Sequence, residues 1–272
     1  MKKLFLSVLC LSAFTFSHTS VSAQPFVGFE DFSTLSGTPP SLAGKWAYFF
    51  RTNGSGTSNG LLAFTGTQLD FSKGAGAGSY FLGWRGAPPS ASRSIDSYNT
   101  GWVTEISVTN TFAPLAGSGE FLAVGIEVAG GAGQFSTIML NSFQGGNTIR
   151  TEGSGVSVNQ VSTSVVTDVR LRLTWDATTK LLVSSYSTDS GANYTNLTTF
   201  TPDTQWTGST QSTNGFFFEI WANTNGAAAL SPGVASLDNF SVAVPEPSTY
   251  ALLAGGLGLI GFGLWRKRRQ AG

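Results

Sequence analysis

Cysteine and histidine each occur once, as Cys10 and His18, and both fall in an N-terminal stretch whose pattern marks it for removal. A mature chain without them has no disulfide, no thiolate or imidazole metal site, and no Cys or His to serve as nucleophile or base. A domain of this kind must be held together by its core alone, which roughly 220 residues can supply. Charge is also sparse, at 11% of residues. Six of the fifteen basic residues, Lys2, Lys3, Arg266, Lys267, Arg268 and Arg269, sit at the two ends. Between Gln24 and Leu264, nine Lys and Arg face fifteen Asp and Glu. The deficit of positive charge argues against a nucleic-acid partner, which needs a basic face. Amphipathic helical runs are missing from 26–242, and long apolar runs occur only at the termini.

What the chain has instead is 34 Gly, 21 Phe and 7 Trp with abundant Ser, Thr and Asn, the make-up of short strands joined by tight turns. Strands are predicted at 45–50, 60–64, 80–84, 102–109, 120–128, 135–141, 166–175, 181–187, 194–200, 216–223 and 235–242. In Val169-Arg170-Leu171-Arg172-Leu173-Thr174-Trp175, apolar and polar residues alternate with the period of two that marks a half-buried antiparallel strand. Leu171, Leu173 and Trp175 then face the core, and Arg170 and Arg172 face solvent or a groove. So many strands fit a two-sheet sandwich better than a small immunoglobulin module. No repeat at a fixed period points to a propeller or solenoid.

Residues 1–23 read as a secretory signal peptide: Lys2 and Lys3, an apolar run from Leu4, then Val21-Ser22-Ala23 with small residues at the −3 and −1 positions. Cleavage is expected before Gln24. Cys10 is preceded by Leu9 inside the apolar run, which excludes a lipidation site. At the other end, Val244-Pro245-Glu246-Pro247-Ser248-Thr249 is followed by an apolar stretch over 250–265 and by Arg266-Lys267-Arg268-Arg269. As a helix, roughly 16 residues rise about 24 Å, slightly short of a typical hydrocarbon core. The four cations hold that end in the cytoplasm, which places the preceding domain outside. Two prolines around Glu246 favour an extended segment that fits a protease cleft as a strand. A plain C-terminal anchor packing through its small residues is the alternative.

This order of Pro-Glu-Pro, Gly-rich apolar helix and terminal basic cluster resembles the PEP-CTERM sorting signal of Gram-negative bacteria. The resemblance implies recognition by an exosortase, a membrane-embedded cysteine transpeptidase, with Pro245, Glu246 and Pro247 as sorting motif. It implies 250–265 as a transient inner-membrane anchor and Arg266, Lys267, Arg268 and Arg269 as stop-transfer. The family commonly accompanies exopolysaccharide or biofilm production. A second resemblance lies in 169–200, where a strand ending Trp175-Asp176, a Thr178-Thr179-Lys180 turn, a second strand, Asp189-Ser190-Gly191 and a strand with Tyr194 are similar to hairpins of concanavalin-like and laminin-G-like jelly rolls. It implies an all-β, antiparallel two-sheet jelly-roll sandwich in which Phe29-Glu30-Asp31-Phe32, near the start, and the later Trp46 lie in a first strand beside the closing strand at 235–242. The chain then divides into a signal peptide (1–23), a β-sandwich ectodomain (24–243) and a sorting signal (244–272).

Candidate chemistry is thin. A retaining glycosidase needs two carboxylates about 5 Å apart, and no Glu-x-Asp-x-x-Glu pattern occurs. Glu105, Glu120, Glu127 and Glu219 stand singly on predicted strands, as solvent-face or strand-end carboxylates. No cofactor is called for, although calcium has candidate oxygen ligands in Asp176, Asp189, Asp238 and Asn239 at turns and strand ends. Asp at such turns also serves by bonding nearby backbone N–H groups. Trp84, Trp102 and Trp206 are the candidates for stacking on carbohydrate, and Trp46, Trp175 and Trp221 are assigned to the core. The expected protein is an exported, non-catalytic module of the cell surface or matrix, in contact with exopolysaccharide. An extracellular glycoside hydrolase and a passive envelope protein are the alternatives.

Overall fold

The computed structural model describes 28–30, 36–37, 46–53, 60–65, 68–75, 79–86 and 96–243, less 115–116, 131–132, 207–211, 213–214 and 227. For the strands before residue 68 and for 79–86, only the backbone is described. The signal peptide at 1–23, the sorting motif Pro245–Pro247, the apolar stretch at 250–265 and the basic tail at 266–269 lie outside these residues. Among the described residues, no helix is long and apolar enough to cross a membrane.

In chain order the elements are β1 (Gly28–Glu30), β2 (Ser36–Gly37), β3 (Trp46–Asn53), β4 (Gly60–Thr65), β5 (Leu69–Lys73), β6 (Ser79–Gly86), α1 (Asp96–Asn99), β7 (Trp102–Asn110) and β8 (Phe121–Ala129). They continue with β9 (Phe135–Phe143), β10 (Gly146–Gly153), β11 (Val156–Ser162), β12 (Val169–Asp176), β13 (Leu181–Ser187), β14 (Thr195–Phe200), α2 (Pro202–Gln205), β15 (Phe217–Thr224) and β16 (Leu230–Ala243). Among the described residues every pairing is antiparallel. One sheet has nine strands in the order β14-β13-β12-β7-β16-β5-β4-β2, with β1 also on β16; the other has seven, in the order β11-β10-β9-β8-β15-β6-β3.

Alternation along each strand decides which side chains meet between the sheets. From the nine-stranded sheet come Leu69, Phe71, Ile106, Val108, Leu171, Leu173, Trp175 and Leu237; from the seven-stranded sheet come Leu122, Val124, Ile126, Val128, Ile138, Leu140, Ile149, Phe218 and Ile220. Leu171 and Leu173 are fully buried and Trp175 is 1% exposed, as the period of two in β12 predicts. The expected pairing of the termini is present for β1, whose Gly28, Phe29 and Glu30 stand opposite Val242, Ser241 and Phe240 of β16; Trp46, expected beside the same strand, is corrected, since it starts β3 of the other sheet, opposite Gly86 of β6.

One end of the core is closed by aromatic rings. Trp102, Trp175 and Trp206 all pack edge-on against Phe216, at ring-centre distances of 5.6, 4.9 and 5.9 Å. The turn around α1 caps them. The Trp102 indole donates to the Ser97 carbonyl at 2.6 Å and that of Trp175 to the Tyr98 carbonyl at 3.0 Å. The Tyr98 hydroxyl in turn donates to Asp203 of α2 at 2.7 Å. Burial and that carboxylate push the Tyr98 hydroxyl up to about 12.

Candidate functional site

Trp102 is fully buried and Trp206 is 2% exposed. Neither ring presents a face to solvent, so the expectation that they stack on sugar is corrected: both are packing residues of the aromatic end. Trp84 lies on β6, opposite Tyr48 of β3 and Ile220 of β15, and its side chain is outside the described residues. Trp221 is 3% exposed, but it is not on the core face. It belongs to a small separate cluster with Ala123, Met139 and the partly buried Phe121, on the outer face of the seven-stranded sheet.

That outer face collects the polar residues that the core excludes. Glu219 of β15 is in register with Glu127 of β8, Glu127 with Thr137 of β9, and Thr137 with Glu152 of β10. On its other side Glu219 meets Arg85 of β6 in register. The next row carries Trp221, Gly125, Met139 and Arg150. A third carries Asn223, Ala123, Asn141 and Thr148. Phe121 and Phe143 face each other beyond it.

Two contacts lock the rows together. Trp221 Nε1 donates to Thr137 Oγ1 at 3.2 Å, and that hydroxyl donates to the Ile126 carbonyl at 2.7 Å. Gly125, between Trp221 and Met139, has no room for a side chain: a Cβ there would lie 2.3 Å from the Ile138 carbonyl oxygen. On this face Thr137, Met139 and Asn141 of β9 are buried, Phe143 at the end of that strand is 41% exposed, and Arg150 and Glu152 of β10 form a partly exposed ion pair. Glu127, Asn223 and Thr148 are half-buried. Glu219 is 2% exposed, so the expectation of a solvent-face carboxylate is corrected there.

A second polar group occupies the outer face of the nine-stranded sheet. Arg172 holds Glu105 Oε2 through Nε at 2.8 Å and Nη2 at 2.6 Å, and its guanidinium lies 3.3 Å from the Tyr194 ring centre. Burial, and after it Glu105, pushes the Tyr194 hydroxyl well above its ordinary range, against Arg172 and Arg170. Arg170 reaches Asp168 at 3.2 Å. For Asp168, burial acts upward, but bonds from Ser107 and Ser190 and the charge of Arg170 outweigh it and hold the carboxyl low. Every charge in this group is matched, which leaves it a cross-strand brace.

The turn aspartates proposed for calcium bind their own loops. Asp176 accepts from the Thr178 N–H at 2.8 Å and the Thr179 hydroxyl at 2.7 Å. Asp189 accepts from Ser187 and from the Asn193 N–H and side chain, and these bonds pull it down to about 2. Asp238 accepts from the N–H and amide of Asn239 at 2.7 and 3.1 Å. Among the described residues, no three His, Cys, Asp or Glu converge as a metal site.

The architecture defines the class: an all-β sandwich of two antiparallel sheets. Among solved structures, Bacteroides ovatus xyloglucan PUL GH43B matches with TM-score 0.50 and 14% identity over 80% of this chain, which spans 39% of that one. An endo-1,3-β-glucanase from Streptomyces sioyaensis matches at TM-score 0.48 and 14% identity, over 81% of this chain and 96% of its own. Lectin II from Ulex europaeus matches at 0.47 and 12%, over 80% and 98%. Identities this low speak to fold alone. No curated protein matches the chain. The particular assignment comes from the tail: residues 243–269 match the PEP-CTERM protein-sorting motif. That motif implies an exported, exosortase-processed protein of the cell surface.

Sequence reasoning found Glu127 and Glu219 but not their adjacency, and it missed Thr137, Met139, Arg150 and Glu152. It placed Trp221 in the core. The signal was present in Phe217-Phe218-Glu219-Ile220-Trp221-Ala222-Asn223, where Trp221 shares the parity of Glu219 and Asn223 rather than of Phe218 and Ile220.

Proposed function

We propose that the domain is a non-catalytic polysaccharide-contacting module, displayed outside the cell and using the outer face of the seven-stranded sheet. One observation carries the reading: on that face the exposed Phe143 and half-buried Phe121 adjoin the row of Asn223, Asn141 and Thr148, with Arg150 in the next row and Glu127 and Glu152 in the row beyond it. A sugar ring binds through an apolar face that stacks on an aromatic and a rim of hydroxyls that needs amide and carboxylate partners. Flat aromatics next to short polar side chains on a rigid sheet meet both needs.

A hydrolytic reading draws on the register of Glu127 with Glu219. Directly opposed residues have Cβ atoms about 4.5–5.5 Å apart, near the separation of about 5 Å that a retaining glycosidase uses. Catalysis needs both carboxyls at the substrate, however, and Glu219 is 2% exposed. A mature chain starting at Gln24 also has no His or Cys to assist. The non-catalytic reading is therefore preferred. A glycan array with residues 24–243, with and without calcium, run beside a reducing-sugar assay, tests it. Binding without sugar release is the expected result. Sugar release abolished by Glu127→Gln overturns it, and silence in both assays favours a passive envelope role.

A further inference from the structure

Strand β10 carries three buried polar atoms without a hydrogen-bond partner: Asn147 Oδ1, Thr148 Oγ1 and Arg150 Nε. Thr148 and Arg150 belong to the outer face already described. Asn147 has the opposite parity, shared with the fully buried Ile149 and Thr151, and it is in register with Ser142 of β9. Its amide is therefore turned toward the space between the two sheets. The turn that joins β9 to β10 sets this register: Gln144 and Gly145 both have positive φ, 50° and 82°, the backbone of a two-residue hairpin of type I′.

A cleft of about 140 Å³ opens there, with Phe112, Ala113, Ser142, Gly145, Asn147 and Val166 in its walls. It lies past Asn110, the end of β7 opposite to Trp102 and the aromatic rings. Most of the wall is tied to itself. Asn110, fully buried, donates to the Leu122 and Leu140 carbonyls at 2.8 and 3.2 Å and closes the core behind the cleft. Its N–H donates to the Val166 carbonyl at 2.8 Å, and its side-chain oxygen accepts from the Phe112 N–H at 3.2 Å. The Ser142 hydroxyl donates to the Phe112 carbonyl. The backbone of Asn147 is held too, since its carbonyl accepts from the Thr163 N–H at 3.0 Å. Its side-chain oxygen is left unpaired.

The chemistry of the walls narrows the occupant. A buried acceptor without a partner is costly, and a ligand O–H or N–H removes that cost. No ionisable side chain among the described residues lines the cleft, so a charged group entering it would lose water without gaining a counter-charge. The volume is close to the roughly 150 Å³ that takes one six-membered ring. Phe112, Ala113 and Val166 offer apolar surface to the C–H face of such a ring, and Asn147 with Ser142 offers oxygen to its hydroxyl edge. We infer that the cleft binds one neutral pyranose ring, with a ring hydroxyl donating to Asn147 Oδ1. Room for a single ring makes that ring the terminal residue of a glycan. The choice of a sugar rests on the polysaccharide reading of the domain, while the site itself is separate from the outer face.

The test is equilibrium dialysis of the full chain, in detergent for its tail, against radiolabelled D-glucose, D-galactose, D-mannose and N-acetyl-D-glucosamine. D-glucuronate and toluene serve as a charged ring and an apolar ring. At least one neutral sugar should saturate in the millimolar range, the affinity that about a dozen non-hydrogen atoms supply. Asn147→Ala should weaken it about tenfold, Asn147→Asp, which keeps an acceptor oxygen, should stay within about threefold, and Phe143→Ala should change nothing. Because Asn147→Ala deletes an acceptor that has no partner in the fold, its melting temperature should equal or exceed the native one. A lowered melting temperature makes Asn147 a structural residue and overturns the site. So does saturation by none of the four sugars, equal binding of D-glucuronate, tighter binding of toluene, or native affinity in Asn147→Ala. Loss of monosaccharide binding in Phe143→Ala moves the contact to the outer face and overturns the cleft alone. Failure of the outer-face reading appears separately, as glycan binding that ignores Phe143→Ala.

Discussion

Glu219 of β15 stands in register with Glu127 of β8, on the sheet face turned away from the core. Two acidic residues placed this way invite a catalytic reading, yet Glu219 is buried while Glu127 is half-buried. The account assigns Glu127 to holding a sugar hydroxyl. Glu127→Gln should weaken glycan binding by roughly tenfold, the size of one hydrogen bond to a charged group. Titration calorimetry measures this, and an unchanged affinity removes Glu127 from the contact.

Leu173 is fully buried at the centre of β12. Leu173→Ala should cost about 2–5 kcal/mol, through lost burial and the cavity left behind. Urea denaturation of residues 24–243 gives the value, with circular dichroism confirming a β-dominated spectrum. A cost below about 1 kcal/mol would mean that β12 does not lie against the opposite sheet.

Gly125 has the Ile138 carbonyl oxygen where a Cβ would go. Gly125→Ala should destabilise the domain by about 1–3 kcal/mol or more, because backbone rather than a flexible side chain must yield. It should also disturb Trp221, its register partner, which a blue or red shift in tryptophan emission reports.

Asp189 is drawn from 3.8 to about 2 by Ser187 and Asn193. A carboxyl whose folded pKa is depressed adds stability above its unfolded value and loses it as the pH falls through the folded one. The 187–193 turn should therefore lose that contribution between about pH 4 and pH 2. Asp189→Asn should flatten the melting temperature over this window relative to the native domain. Parallel curves for the two would contradict the assignment.

The legible part of this fold is local. The alternation in β12 and the sandwich class follow from period-two patterns and turn residues, and the pairing of Phe29 with the closing strand from the resemblance to jelly rolls. Strands β10 and β11 escaped because Thr148, Arg150, Glu152, Ser157, Asn159 and Gln160 give them too little apolar content to stand out. Strand β5 is short, and its alternation ends in Lys73, which is buried because its ammonium donates to the carbonyls of Gly226 and Ala228. The candidate face was legible only as separate residues. Glu127 and Glu219 meet through a pairing between strands some ninety residues apart, and that long-range register has no local signature. Trp102 and Trp206, beside turn residues, read as exposed. The short helices α1 and α2 fold back over the aromatic end and enclose them.

The central claim is that the β9–β10 side of the seven-stranded sheet contacts polysaccharide without cleaving it. The most direct measurement is calorimetric titration of the best array glycan into native domain, Phe143→Ala and Thr174→Ala, with reducing ends counted afterwards. Thr174 lies on the outer face of the other sheet, opposite Val103, and serves as control. The account predicts three- to tenfold weaker binding for Phe143→Ala, about what one aromatic stacking contact contributes. It also predicts native affinity for Thr174→Ala and no new reducing ends. Equal affinity in all three proteins, or reducing ends that disappear with Glu127→Gln, would contradict it.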